Sequence, residues 1–247
     1  MYKRQGLDDP VIEIAITPNR ADCLGVRGVA RDLAAAGYGT LKPLDTSAHE
    51  GSFDSPVTWR LDLDGAEHLA PLITGIAFRG VTNGPSPDWM ARRLNAIGQR
   101  PISALVDITN YVMFDLGRPL HAYDIDKIHG SELIVRQADG GEPFAALNEK
   151  TYEMEAGMIT IGDAEGVDDL AGVMGGERTG VSDGTTGMFL EIAVFDPISV
   201  ATTGRKLNLN SDARYRFERG LDSESPVWAA GHIARMVTEI CGGEASV

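Results

Sequence analysis

Cysteine is scarce in this chain: 247 residues carry two, Cys23 and Cys241, near opposite ends. With no CxxC pair and no Cys/His cluster, the sequence supports neither a zinc site nor a disulfide framework. A reducing, cytoplasmic setting is the default. Long apolar runs are missing too. None approaches the ~20 residues of a membrane span, and no signal peptide opens the chain. Cations are outnumbered, 22 Lys and Arg against 36 Asp and Glu, for a net charge of −14. Nucleic-acid binders want a basic face, so any RNA contact must be local or supplied by another part of a larger assembly. Phosphate loops, dinucleotide fingerprints, GxSxG elbows and HExxH are all absent. An enzyme built on this sequence would work by positioning water, not through a covalent intermediate or a metal.

What remains is an ordinary globular composition, 43% hydrophobic and 23% charged, long enough for one large domain or two small ones. Residues 1–9 match nothing that follows and read as an assembly scar with a flexible lead-in. Residues 10–45 read as a strand-helix strap. Val11–Thr17 alternates like a strand. Asp22 could cap a helix with Val26, Val29, Ala30 and Leu33 on its inward face, stopped by Gly37. Residues 46–56 read as a polar linker, and 57–247 as the main body.

In that body, 57–63 and 72–81 are strand candidates. Ser86 and Pro87 start a helix with Trp89, Met90, Leu94 and Ile97 inward. Pro101 opens a second helix, ended by Gly117. Four short apolar runs follow, at 133–137, 158–162, 170–174 and 189–194. Pro197 starts a short helix and Ser225-Pro226 the last one, with Trp228, Ile233, Val237 and Ile240 inward. Strands and helices without strict alternation predict an α+β fold: a sheet-rich core of mixed strands flanked by helices.

Four segments could carry chemistry. In 100–124, Asp107, Thr109 and Asn110 interrupt an apolar helix, and Gly117 and Pro119 would present His121 on a turn, where it could orient a water. Equally, Asp107 and Asn110 could satisfy backbone groups around a structural His121. The segment 171–187 holds six glycines, which could admit a ligand to the backbone or expose N–H donors, or simply make sheet turns. Glu191 lies in an apolar strand and shares its face with Phe189 and Ala193. A carboxylate there is costly unless it meets a polar cavity or solvent. Arg214, Arg216 and Arg219, interleaved with Tyr215 and Phe217, could contact RNA or form a salt-bridge network with Glu218 and Asp222.

The strings T-P-N-R-A-D-C-L, R-P-I-S-A-L-V-D-I-T-N-Y-V, G-R-P-L-H-A-Y-D, L-A-G-V-M-G-G, F-L-E-I-A-V-F-D-P and S-D-A-R-Y-R-F-E-R-G-L-D occur in this order across residues 10–245. In this the chain resembles the central editing module of the bacterial phenylalanyl-tRNA synthetase beta subunit. The resemblance implies a layered β/β/α-like domain that hydrolyses tyrosine mischarged onto the phenylalanine tRNA. The alternative it leaves is a non-catalytic scaffold for assembly or tRNA positioning. Carried over, His121 and Thr109 orient the attacking water and the ester, with Gly175 lying against the amino acid and the water. Asn110 and Arg100 line the entry and hold the terminal adenosine, and Pro119 is a further substrate-binding residue. Glu191 recognises the tyrosine hydroxyl and Ala213 shapes the ring pocket. Ser211 stands where related sequences often have Thr. The implied partners are the tRNA 3′ end carrying Tyr, an alpha subunit and the remaining beta-subunit domains, in a heterotetramer. Editing would need no cofactor and no metal; ATP and Mg would serve aminoacylation by the full assembly, an activity this chain alone should lack.

Overall fold

The computed structural model describes residues 10–247; the expected lead-in, 1–9, lies outside them. In chain order the elements are α1 (Val26–Ala35), β1 (Thr58–Asp62), β2 (Leu72–Arg79), α2 (Asp88–Ala96), α3 (Ala104–Leu116), β3 (His121–Asp124), β4 (Glu132–Gln137), β5 (Pro143–Ala146), β6 (Lys150–Glu153), β7 (Ile159–Asp163), β8 (Gly166–Leu170), β9 (Met174–Gly175), β10 (Gly187–Val194), α4 (Pro197–Lys206), α5 (Asp212–Phe217), α6 (Ser225–Cys241) and β11 (Glu244–Ala245). The fold is α+β, as expected. A four-stranded sheet runs β11-β2-β10-β3, a five-stranded sheet β1-β4-β7-β8-β9, and β5-β6 form a separate hairpin. No helix among the described residues is long and apolar enough to cross a membrane.

The alternation of β10 builds the layers. Met188, Leu190 and Ile192 point to one side, where Met90 and Leu94 of α2, Leu105, Ile108 and Val112 of α3, and Ile233 and Val237 of α6 close a core. Phe189 and Ala193 point to the other, against Leu133, Val135, Ile161 and Leu170 of the five-stranded sheet. Successive strand residues face opposite ways, so one strand seeds both cores of a sheet/sheet/helix stack. Gly75 of β2 makes room in it: a Cβ there would stand 2.7 Å from Phe189 Cε1.

Several expectations are corrected. Residues 11–17 have the alternation of a strand but form none, and Val11, Ile12 and Ile14 are exposed. Alternation gives a strand only where another edge supplies hydrogen-bond partners. Asp22 caps nothing. It lies in a 3₁₀ turn, Ala21–Cys23, and α1 begins after Gly25. The expected inward face of α1 is open, with Val26 64% and Leu33 51% exposed; with Ile12 and Ile14 they line a cleft of about 670 Å³. Trp89 of α2 and Ile97, just past its end, are likewise exposed. Ser86 does not cap α2, because its hydroxyl bonds the Asp107 carboxylate instead. The run 170–174 is two strands and a corner, turned by Gly172 at φ 70°. Around residue 53 the expected linker runs beside the C-terminus, with a Phe53–Ser246 bridge and Ser52 N–H donating to Ala245 O at 2.9 Å.

Candidate active site

Three strands bring the polar groups together. Gly117, left-handed at φ 73°, ends α3, and the chain re-enters as β3. His121 is therefore not on a turn, as the Gly-x-Pro pattern suggested. It opens a strand that pairs antiparallel with β10, in the register His121↔Glu191 and Tyr123↔Phe189. Two-residue spacing puts His121 and Tyr123 on one face of β3, the face β10 uses for Phe189 and Glu191. Against it lie β8 and β9, paired Asp169↔Gly175. The connection from α3 is anchored by Arg118, 1% exposed. Its guanidinium donates to Ala193 O and, at 3.0 Å, to Ser225 Oγ.

Glu191 is 5% exposed. The Tyr123 hydroxyl donates to Glu191 Oε2 at 3.0 Å. Burial pushes the Glu191 carboxyl up to about 7, while Tyr123 and Arg118 pull the other way. Asp169, also 5% exposed, is raised well above the usual carboxylate range by burial and by the charges of Glu191 and Asp168. His121 keeps a 16% exposed side chain. Its Nδ1 is 3.7 Å from Asp169 Oδ2, and its buried Nε2 has no partner. Burial lowers its pKa to about 4, so the ring is neutral at pH 7. The ring stands edge-on to Tyr123, centroids 4.4 Å apart, and rests on Gly175, where a Cβ would lie 2.7 Å from Nδ1.

The other expected residues are spread around this cluster. Thr109 and Asn110 are half-buried on α3, and Thr109 donates its hydroxyl proton to Val106 O at 2.7 Å. Pro119 is buried in the connection and Arg100 exposed ahead of α3. Ser211 caps α5: its Oγ accepts from Arg214 N at 2.9 Å and donates to Val173 O at 2.5 Å, tying the helix to the corner between β8 and β9. Ala213 packs on the same core. Asp107 is fully buried and takes the bland role, accepting from Ile102 N at 2.8 Å and from Ser86.

Gly176 offers no free donor, since its N–H bonds Asp168 O at 2.7 Å. One reading of the sequence is overturned: Arg214 and Arg216 do not form an RNA face. Both are buried; Arg214 bonds Leu209 O, Asn210 and Glu218, and Arg216 bonds Leu24 O and Asp212. Arg219 pairs with Glu218 and stacks on Tyr215 at 3.6 Å, so the salt-bridge reading holds for Glu218; Asp222 instead accepts from Trp228 Nε1 at 2.9 Å. The sequence reading missed Tyr123 and Asp169. The alternation H-A-Y puts Tyr123 on the face of His121, and D-D entering the apolar L-A-G-V is as anomalous as Glu191. Asp22, Cys23 and Asp32 bring ligand-type atoms within 4.8 Å of one another, but Arg20 and Arg31 already pair with both carboxylates.

Residues 69–242, which contain every strand of this cluster, match the B3/4 domain family. The chain belongs to the B3/4 domain family. This B3/4 chain is also 53% identical over 245 residues to the phenylalanine–tRNA ligase beta subunit of Brucella abortus (strain 2308), covering 98% of the chain and 30% of that protein. It is 54% identical over 239 residues to the beta subunit of Paramagnetospirillum magneticum, covering 96% and 30%. The chain thus spans about 30% of the length of the curated relatives it matches. A solved N-terminal fragment of the phenylalanyl-tRNA synthetase beta subunit from Pyrococcus horikoshii is similar at 16% identity and a TM-score of 0.44, covering 78% of this chain and 60% of that one.

Proposed function

We propose that this B3/4 chain is an editing unit that hydrolyses tyrosine esterified to the phenylalanine tRNA. Glu191 carries the reading. A carboxylate held in an apolar layer is costly, and here it faces the same layer as a neutral histidine with an unpartnered buried nitrogen. Tyrosine and phenylalanine differ by one hydroxyl. Tyr123 occupies Oε2, leaving Oε1 to accept that hydroxyl. Phenylalanine would leave the acceptor unmatched, so tyrosine is favoured.

An aminoacyl ester is already activated, so a placed water and a few donors suffice. His121 and Thr109 orient the water and the ester, and the Gly175 backbone lies against the amino acid. Ala213 and Ser211 bound the ring pocket. Asn110, Arg100 and Pro119 form the entry, with Arg100 and Asn110 holding the terminal adenosine. With a net charge of −14, most tRNA affinity comes from the other beta-subunit domains and the alpha subunit. ATP and Mg belong to that assembly's aminoacylation. The test is deacylation of Tyr-tRNA(Phe) by the chain and by His121→Ala, repeated in the full assembly. Hydrolysis weakened by the substitution supports editing; none in either format would favour a scaffold.

A further inference from the structure

Two buried carboxyls, Asp169 and Glu191, share one layer, and the buried Arg118 is the cation that acts on Glu191. Arg178, which reaches Asp168 of β8 from beyond β9, is already engaged: it bonds Asp163 and Asp168, both at 2.6 Å. Unpaired charge in such a layer is expelled as a proton is taken up, so the pair keeps one proton. The surroundings decide which carboxyl holds it. Glu191 accepts from Tyr123 at 3.0 Å and feels Arg118, both favouring its ionised form. Asp169 is acted on first by burial and then by the charges of Glu191 and Asp168, all of which favour its neutral form and outweigh a hydrogen bond from Tyr123 that favours the ionised one. A protonated Asp169 needs an acceptor, and His121 Nδ1 stands 3.7 Å from its Oδ2. That separation is longer than a hydrogen bond, and a shift of about 0.7 Å in either side chain brings the two into contact in the free chain.

We infer that Asp169 is a positioning residue that donates its carboxyl proton to His121 Nδ1 and so fixes the neutral imidazole as the Nε2–H tautomer. The inference rests on the editing reading and deepens it. His121 then presents a hydrogen-bond donor, not a base, from the buried nitrogen that lacks a protein partner. In the editing reading that donor meets the ester carbonyl oxygen, where negative charge develops as water attacks. Glu191, held ionised by the same proton allocation, stays the hydroxyl acceptor. Recognition and chemistry are linked through Tyr123, which bonds Glu191 and stacks edge-on with His121.

The experiment is ¹⁵N NMR of the imidazole nitrogens in the free chain at pH 7, with the His121 signal assigned by its loss in His121→Asn. Asp169→Asn and Asp169→Ala are compared with the parent. The expected result is the Nε2–H tautomer in the parent, kept in Asp169→Asn, whose amide can still donate to Nδ1, and mixed in Asp169→Ala. Deacylation of Tyr-tRNA(Phe) should fall about 10²-fold in Asp169→Ala, the scale of one lost oxyanion donor, and be largely restored in Asp169→Asn. An Nδ1–H tautomer or an imidazolium in the parent overturns the inference, as does one tautomer unchanged in both variants or lost in Asp169→Asn. If Asp169→Ala does not fold, the parent and Asp169→Asn decide. The tautomer is read without tRNA, so failure of the editing reading would show separately, as an absent deacylation by a parent with the expected spectrum.

Discussion

Gly175→Ala should damage the site by displacing His121. The added methyl would lie 2.7 Å from Nδ1 and 3.0 Å from Nε2 of His121, and nearer still to Cε1. Carbon contacts prefer roughly 3.5–4.0 Å, so the ring, met first at Cε1, must retreat by roughly 1.5 Å. Gly175 is not among the residues with positive φ, so alanine fits the backbone and the whole effect is one of space. Overpacking of this kind costs about 1–3 kcal/mol. At about 2–4 °C per kcal/mol for a chain this size, Tm should fall by roughly 2–12 °C. A displacement of about 1 Å at a reacting group costs on the order of 10²-fold in rate. Thermal unfolding and single-turnover deacylation of Tyr-tRNA(Phe) read the two effects. The cause is isolated by a double-mutant cycle: in a His121→Ala background the ring is gone, and Gly175→Ala should be nearly neutral to stability. An equal loss of Tm in both backgrounds would refute the reasoning, as would a Gly175→Ala variant with parental Tm and activity.

Other perturbations have defined outcomes. The folded-state pKa of Glu191 is raised from 4.5 to about 7, so its contribution to stability is fully present below about pH 4.5 and lost as pH rises through about 7. Glu191→Gln should therefore gain on the parent between pH 5 and 8, by on the order of 2–3 kcal/mol in denaturant unfolding. Ser211→Ala removes the α5 cap and the bond to Val173 O and should cost about 1–2 kcal/mol; Ser211→Thr should retain most of it. Arg214→Ala strips a buried set of bonds to Leu209 O, Asn210 and Glu218. It should lower stability by about 2–5 kcal/mol, seen as a shifted denaturant midpoint in the absence of RNA.

The parts of this fold that were legible in the sequence are those where local and tertiary demands agree. β10 reads as a strand because Met188 to Val194 is, Glu191 apart, apolar on both faces, as a strand between two layers must be. The ends of α3 are legible at Gly117 and those of α6 at Pro226 and Gly242, where the chain needs a first-turn proline or a glycine at φ 73° and 70°. The hairpin β5-β6 was not legible. Its strands have four residues each and only Phe144 and Ala146 are buried. It matters to the site because Leu147 N–H bonds Gly175 O at 3.0 Å and Glu177 N–H bonds Ala145 O at 3.0 Å, backing the segment under His121. The helix α5 hid behind its arginines, which look like surface charge until their acceptors, many of them backbone carbonyls, are known. Glu191 was conspicuous as a carboxylate in an apolar run, but its neighbours Tyr123 and Asp169 come from distant strands, and only the register His121↔Glu191 and Asp169↔Gly175 brings them together.

The central claim, that Glu191 selects the tyrosine hydroxyl, is tested most directly by the ratio of Tyr-tRNA(Phe) to Phe-tRNA(Phe) deacylation in the parent and in Glu191→Ala, measured in the same full assembly. The account predicts a parent that strongly favours tyrosine and a variant in which the ratio collapses toward one, chiefly through slower loss of tyrosine. A variant that hydrolyses both esters more slowly but keeps the parental ratio would contradict it.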